Sequence, residues 1–594
     1  MSMDGSIARW SRGWRGPALA ALIALVAGLP GLLAMPPLDR DESRFAQATA
    51  QMLERDDFVV IRFQEQPRFK KPVGIHWLQA ASVAALSDPE ARQIWAYRIP
   101  SLLGAMLAAA ACAWGAAALF DPRTGVIAGA LLGGGFLLST EAFIAKTDAV
   151  LCGTTTLALA ALARVYAETH GGPPAGRRTR LLFWLGLAMA TLDKGPIGPM
   201  VAGLTLITLA IADRKAGLRN ATNWIRSLGW IWGPILLLAV VGPWAWAVTV
   251  ATDGGFWSAA IAGDLAPKLA GGQETHGQPP GFHALMTSLL FFPGTLLLPA
   301  GLVLGWRNRA EPGVRFALAW LIPAWLVFEI TPTKLVHYTL PCYPALAILA
   351  AAALNAPLGP RVKWIGAGLA AFVGVALAGG VGYLMSLYGD ASDLPAAIVA
   401  GLLLAAAGLG GAYMLVRRDA VPAVAVALGL AVAGHAALVA GLVPRLQPLW
   451  LSQRTETVLA RARLLPRQGI APSPIAVAGY AEPSLVFGVG TATDLGDAVD
   501  AANAISDGRA AVVEQREEKA FQEAVAGLRV VPRPVGQVNG LDYSTGKKMT
   551  LTIYAPPPEA PEAADTPDTG AVAAPPAPPA KIQPPTTKPR KARP

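Results

Sequence analysis

The sequence predicts a mainly α-helical, polytopic membrane protein carrying a small α/β domain outside the bilayer, and three observations lead there. The chain of 594 residues is 53% hydrophobic and only 15% charged, far less charge than a soluble protein of this length needs. Apolar runs of about 20 residues recur as far as Val443, each long enough to cross roughly 30 Å of hydrocarbon. Beyond that point hydropathy falls, and short strand-like and helix-like runs alternate.

About 13 spans are predicted, near 17–35, 99–119, 125–139, 148–167, 181–192, 196–213, 228–250, 285–305, 315–330, 339–355, 364–387, 394–416 and 421–443. The pair around "TLDKGPIGP" reads as one broken helix or two. Basic residues in short loops set the orientation. The N-terminus carries Arg9, Arg12 and Arg15, and every second connection is basic: Arg123, "RRTR" (177–180), "DRKAGLR" (213–219), Arg307 and Arg309, Arg361 and Lys363, Arg417 and Arg418. The intervening loops are poorer in Lys and Arg. The N-terminus is therefore placed in the cytoplasm, and an odd number of spans puts the C-terminal part outside. The net charge of +10 comes from this loop bias and a basic tail, not from nucleic-acid binding. The first apolar run lacks a small-residue cleavage site and reads as an anchor, not a signal peptide. Cys112, Cys152 and Cys342 all fall in or at spans and form no disulfide framework.

The membrane domain is assigned to 1–446, and two of its outward segments are too long to be turns. The first, 36–98, reads as an amphipathic helix from Asp41 to Glu54, with Phe45, Thr49, Met52 and Leu53 on one stripe. An extended stretch "FVVIRFQEQPRF" follows, then a second helix in "KKPVGIHWLQAASVAAL", whose Trp77 suits an interfacial position. The second segment, 251–284, is rich in Gly and Pro and reads as a lid or binding loop. Residues 447–555 carry strand-like "PIAVAGY", "AAVVEQ" and "MTLTIYAP" and helix-like "EPSLVFGVG" and "EKAFQEAVAG". The Pro/Ala-rich tail, 556–594, cannot bury a core and is predicted to be disordered.

Charges gather where these outer segments meet the bilayer. Asp41 begins the juxtamembrane helix, with Glu42 beside it and Arg44 three residues on. The helix dipole favours the carboxylate there, and i, i+3 spacing brings Arg44 to the same face. Read alone, this is equally a helix cap with a surface ion pair. "RFKKPVGIHW" sets Arg68, Lys70 and Lys71 on a turn before Pro72; alone, these suit lipid headgroups. "STEAFIAKTDAVL" brings Glu141, Lys146 and Asp148 to the outer mouth of the third and fourth spans, and "TLDKGP" adds Asp193 and Lys194. "TPTKLVHYTLPCYPAL" puts Lys334, His337 and Tyr338 at another outer turn. An ammonium, an imidazole and a phenol together suit a phosphate, since each donates hydrogen bonds to its oxygens.

Taken in order, these segments resemble the lipid-linked-sugar glycosyltransferases of the C-type membrane fold, nearest to the aminoarabinose transferases and their protein O-mannosyltransferase relatives. The resemblance rests on Asp41-Glu42-Ser43-Arg44-Phe45 after span one, Phe69-Lys70-Lys71-Pro72 with Trp77, then Asp148, then Lys334-Leu335 with Tyr338, Leu340 and Pro341. It implies an inverting transfer from a polyprenyl-phosphate sugar to an envelope acceptor (lipid A, another glycolipid, a glycan or a protein) at the periplasmic face of a bacterial inner membrane. By that resemblance Asp41 is the catalytic carboxylate with Arg44 orienting it, and Asp148 positions substrate. Glu42, Lys71, Lys334, His337 and Tyr338 are then expected at the substrate, the two lysines on the donor phosphate.

Three departures qualify it. Phe45 stands where the family often has Tyr. Lys70 replaces a Glu that can hold a metal in aminoarabinose transferases. Asp264 and Leu265 stand where a Glu-His pair is expected, so a divalent metal, if held, would need a different set such as Asp264, Glu274 and His276. The competing reading is a transporter or flippase of a lipid-linked saccharide. That class calls for internal repeats and mid-span charges, whereas these charges lie at one face.

Overall fold

Helical backbone satisfies its own hydrogen bonds, so apolar stretches of this length fold as helices in lipid. The computed structural model describes residues 11, 13–217, 222–267, 277–468 and 474–558. Helix α1 (Arg15–Ala34) leads into two helices of the segment 36–98, α2 (Asp41–Arg55) and α3 (Gly74–Leu86), with a minimal hairpin of β1 (Arg62–Phe63) and β2 (Gln66–Pro67) between them. Then come α4 (Ile94–Leu119), α5 (Pro122–Gly133), α6 (Phe136–Glu141), α7 (Thr147–Glu168), α8 (Arg177–Lys194), α9 (Ile197–Lys215) and α10 (Trp232–Ala251). The membrane part closes with α11 (Phe282–Leu290), α12 (Leu298–Arg307), α13 (Pro312–Ile330), α14 (Tyr343–Ala352), α15 (Pro360–Tyr388), α16 (Leu394–Arg417) and α17 (Ala420–Ala436).

Among the described residues nine helices are long and apolar enough to span a membrane, or ten with the bent pair Phe282–Leu290 and Gly294–Arg307. The other three predicted spans are helical but do not meet that measure. The stretch 125–139 is split between α5 and α6, α8 carries charge at both ends, and Leu340–Asn355 is short. Around "TLDKGPIGP" the chain forms two helices, α8 and α9, broken at Gly195 with φ +63°.

Small residues let these helices approach closely. A Cβ on Gly153 would lie 2.4 Å from the Gly104 carbonyl oxygen, so α4 and α7 meet backbone to backbone there. That contact lies near the N-terminal end of α7, where Asp148 stands. Facing outward are Ile235, Leu238, Trp246, Phe372 and Leu402, a surface suited to lipid.

The α/β region contains α18 (Leu451–Arg461), β3 (Ala476–Ala478), α19 (Pro483–Val489), β4 (Asp494–Gly496), α20 (Ala498–Ser506), β5 (Ala511–Glu514), α21 (Glu518–Leu528), β6 (Arg533–Asp542) and β7 (Lys547–Ala555). The sheet order is β4-β3-β5-β7-β6, with β3 parallel to β4 and β5, and β7 antiparallel to β5 and β6. Alternate residues of the central strands face opposite cores, as a period of two requires. Val477 and Val512 pack with Leu459 and Leu485, whereas Ala476 and Val513 pack with Ile505 and Phe521. The predicted strands and helices of this region are present; α18, α20, β4 and β6 join them. The predicted disordered tail lies outside the described residues from 559 onward.

Candidate functional site

Helix α2 starts at Asp41 directly after Arg40, whose φ of +59° turns the chain sharply, and no side chain caps this end. Its first-turn N–H groups and dipole therefore act on Asp41 and Glu42 themselves. The two neighbours face different ways. Asp41 keeps exposed surface, on the side of Arg44, Arg68 and Lys146. Glu42 turns inward, where its side chain has no exposed surface.

Glu42, expected at the substrate, is turned away from Asp41 and is taken up by partners within the chain. Its oxygens accept from Arg98 Nε and Nη2, both at 2.8 Å, and from the backbone N–H groups of Leu38 and Ala145, also at 2.8 Å. Arg98 in turn donates to the carbonyls of Met35 and Pro36 at 2.6 and 2.8 Å. This latch ties the end of α1, the start of α2, the start of α4 and the loop before α7 into one corner.

Around Asp41, partial desolvation pushes the carboxyl pKa up, but the cations Lys146, Arg68 and Arg44 outweigh it and hold the pKa below the usual value. The carboxylate is ionised at neutral pH. Arg68 comes from the turn before α3 and lies 4.6 Å over the Phe45 ring. Burial lowers its pKa to about 10, with Asp41 opposing and Arg44 adding to the shift, so it stays cationic. Beside it, Lys71 Nζ is 2.8 Å from Asp264 Oδ2.

Next to it, the adjoining ends of α6, α7 and α8 supply a denser network. Lys146 Nζ lies 3.1 Å from Glu141 Oε2, 3.5 Å from Asp148 Oδ2 and 3.3 Å from His337 Nδ1. Burial disfavours that ammonium, but Glu141 and Asp148 outweigh it and raise the pKa of Lys146. Lys194 pairs with Asp148, and its ammonium lies 5.8 Å from the centre of the Tyr338 ring. His337 Nε2 is 3.7 Å from Asp148 Oδ2. Burial drags the His337 pKa down to about 3, so at neutral pH it is an uncharged donor and acceptor. Burial likewise raises the Tyr338 phenol, helped by Asp148 and Asp264, which keeps its proton available for donation.

The fold thus draws Asp41, Arg44, Lys71, Asp148, His337 and Tyr338 to one place, from four separate stretches of chain. Lys334 points elsewhere. It is 4% exposed, and its ammonium donates to the carbonyls of Gln278 and Thr331 at 2.8 and 2.9 Å, holding the chain at Gln278 against its own turn. Arg68, Glu141, Lys146 and Lys194 enter the site without a role drawn from sequence. The signal was there: each is a charge at the end of an apolar element, where an unpartnered charge is costly. Among the described residues no cluster of three or more His, Cys, Asp and Glu fits a metal ion. Asp264 faces Lys71, and Glu274 and His276 lie outside the described residues.

No family model matches the chain. Among curated proteins, the undecaprenyl phosphate-alpha-4-amino-4-deoxy-L-arabinose arabinosyl transferase of Pseudomonas paraeruginosa is 29% identical over 336 residues, 54% of this chain and 58% of that one. Its counterpart in Pectobacterium carotovorum is 28% identical over 331 residues, 54% and 56% of the two chains. The match therefore spans under two thirds of these relatives. Among solved structures, ArnT from Cupriavidus metallidurans bound to undecaprenyl phosphate superposes with a TM-score of 0.71 at 20% identity, covering 90% of this chain and 97% of that one. The apo form gives 0.70 over the same shares. The chain has the C-type membrane glycosyltransferase fold. Within that fold it is similar to the aminoarabinose transferases, as its four ordered motifs indicate.

Proposed function

We propose that this protein is an inverting glycosyltransferase that moves a sugar from a polyprenyl-phosphate donor to an envelope acceptor, lipid A or another glycolipid, glycan or protein. The observation that carries this reading is one ionised carboxylate, Asp41, set among the cations Lys146, Arg68 and Arg44 beside the Lys146–Asp148–Lys194 network. Sugar transfer from a lipid phosphate needs both kinds of group. An acceptor oxygen forms a bond to the anomeric carbon as the bond from that carbon to the donor phosphate oxygen breaks. The electron pair of the broken bond stays on the phosphate, where cations stabilise the growing charge. A hydroxyl acceptor gives its proton to Asp41; a phosphate acceptor is already ionised, and Asp41 then orients it.

Lys71, Lys146 and Lys194, with Tyr338 and neutral His337, supply the donors for the leaving phosphate, and Asp148 holds Lys194 and Lys146 in place. Lys334 contributes through the loop it anchors. The name of the curated relatives specifies undecaprenyl phosphate and aminoarabinose. The lipid phosphate is carried over here; the sugar is not, because Lys70 and the Asp264–Leu265 pair stand where the resemblance calls for other residues. On this reading the site opens to the periplasm of a bacterial inner membrane, with the N-terminus in the cytoplasm and the α/β region of 447–555 outside.

Mass spectrometry of envelope glycolipids and glycans from cells with and without the gene tests the proposal. A sugar missing from one acceptor is the expected result and identifies the substrate. No change in any glycan refutes it.

A further inference from the structure

The start of α2 is an awkward place to put a catalytic group. Arg40 has φ +59°, a conformation that residues with side chains adopt at a cost and keep only when their surroundings enforce it. The enforcement comes from the far end of the chain. Tyr543 and Ser544 sit in the turn between β6 and β7. The Asp39 amide N–H donates to the Tyr543 hydroxyl oxygen at 2.6 Å, and Arg40 Nη2 donates to the Ser544 carbonyl at 2.8 Å. Ser484, at the start of α19, donates its hydroxyl to Asp39 Oδ1. It also meets Ser452 Oγ at 2.6 Å, which in turn meets the Tyr480 hydroxyl at 2.9 Å. The turn is itself braced, since Asp542 accepts from the Ser544 amide at 2.9 Å and the Thr545 hydroxyl at 2.7 Å.

We infer that the α/β domain is a positioning element for the reaction, its β6–β7 turn and Ser484 holding residues 39 and 40 so that Asp41 keeps its attitude toward the substrate. This rests on the reading of Asp41 as the catalytic carboxylate. Plain adhesion between the two regions is provided elsewhere. Arg92 donates to the Phe487 carbonyl at 3.0 Å, Gln47 Nε2 to Thr491 Oγ1 at 2.7 Å, and Gln64 Nε2 to the Thr493 carbonyl at 2.5 Å. The Tyr97 and Phe487 rings meet edge to face. Removing the Tyr543 hydroxyl therefore leaves the domain docked and loosens only the turn before Asp41.

The test uses the full chain in detergent, with Tyr543→Phe and Ser484→Ala as independent variants. Hydrogen exchange of peptides covering 36–45 is expected to rise about tenfold, against unchanged exchange in α7. Affinity for undecaprenyl phosphate stays within about twofold of the parent. In cells, the rate at which the glycolipid product forms falls about three- to tenfold, the scale of one lost hydrogen bond. Unchanged exchange at 36–45 in both variants overturns the inference, and so does faster exchange with a full rate of product formation. Asp41→Asn is run beside them: a full product rate in that variant overturns the role of Asp41, whereas the exchange results still report on the clamp.

Discussion

Cutting the buried Glu42–Arg98 latch should cost stability, not donor binding, and the structure sets the size of the effect. Both side chains are fully buried and bonded through two parallel contacts of 2.8 Å. Taking two charges out of water costs several kcal/mol per ion, which their attraction and added hydrogen bonds roughly offset. An intact pair therefore adds little net stability, but removing one partner strands the other. Arg98→Ala leaves the Glu42 carboxylate in a dry corner with only the Leu38 and Ala145 amides, and it orphans the Met35 and Pro36 carbonyls as well. The loss is about 3–5 kcal/mol, equivalent to a fall in melting midpoint of about 2–4 °C for a chain of this length.

Glu42→Gln should lose a similar amount, since the Arg98 charge is then stranded. The double variant Glu42→Gln with Arg98→Met should lose clearly less than the sum, because neither charge remains. The assay is thermal unfolding in detergent, followed by tryptophan fluorescence, beside titration with undecaprenyl phosphate. If both single variants melt within about 1 °C of the parent, the latch does not hold this corner together. If Glu42→Gln melts normally but binds the lipid phosphate more weakly, Glu42 returns to the substrate site.

The remaining predictions concern the charged cluster and its surroundings. Asp41→Asn should lower transfer by about 10²–10⁴-fold, the usual worth of a positioned acid–base group, while undecaprenyl phosphate still binds; normal turnover would remove Asp41 from the mechanism. Lys71→Ala should weaken binding of the donor by about tenfold, as loss of a charge-assisted contact does, whereas Lys334→Ala should act by loosening residues 277–281, seen as faster hydrogen exchange there. Unchanged affinity in Lys71→Ala refutes its phosphate role. Burial, with Asp542, raises Asp39 from 3.8 to about 6, and burial with Asp39 and Asp542 raises Glu482 from 4.5 to about 7. The folded protein thus binds protons that the unfolded chain releases, so this stabilisation is complete below about pH 4 and is lost as pH climbs through 6 to 7. The melting midpoint should fall between pH 5 and pH 8, and Glu482→Gln should flatten that slope; a slope unaltered in the variant counts against these groups.

Much of the membrane part is legible in the sequence because lipid imposes a simple rule, and long apolar runs obey it. The run Asp41–Glu54 reads as a helix because its apolar stripe has helical period, and α2 occupies Asp41–Arg55. Less legible is anything decided by a distant partner. Glu42 and Asp41 are equivalent charges in the sequence, and only Arg98, 56 positions away, separates their fates. A hint existed, since Arg98 opens an otherwise apolar helix and such a charge must find a mate. Lys334 shows the same difficulty in reverse: its place in a motif suggested phosphate, but two carbonyls claim its ammonium. Strand β6 is hidden by the Gly, Pro and Asn of "RPVGQVNGLD", residues that weaken strand propensity; its pairing with β7 defines it. The contact between that hairpin turn and residues 39–40 spans 504 positions, and no local pattern encodes it.

Pairing also shapes how the proposed reaction can gain rate. Lys71, Lys146 and Lys194 each face a carboxylate, from Asp264, Glu141 or Asp148, so an arriving donor phosphate shares cations that are already partly neutralised. Ground-state binding is thereby held down, because each new contact weakens an old one. As the anomeric bond breaks, charge builds on the phosphate oxygens, and the same cations shift toward the stronger partner. Interactions that strengthen only as the bond breaks raise the rate, whereas those equally strong before and after merely tighten binding. Removing a carboxylate partner tests this directly: Asp264→Asn should take that negative charge away from Lys71, tighten binding of undecaprenyl phosphate and slow turnover together. A variant that binds more tightly and also turns over faster would show that the pairs restrain catalysis instead of serving it.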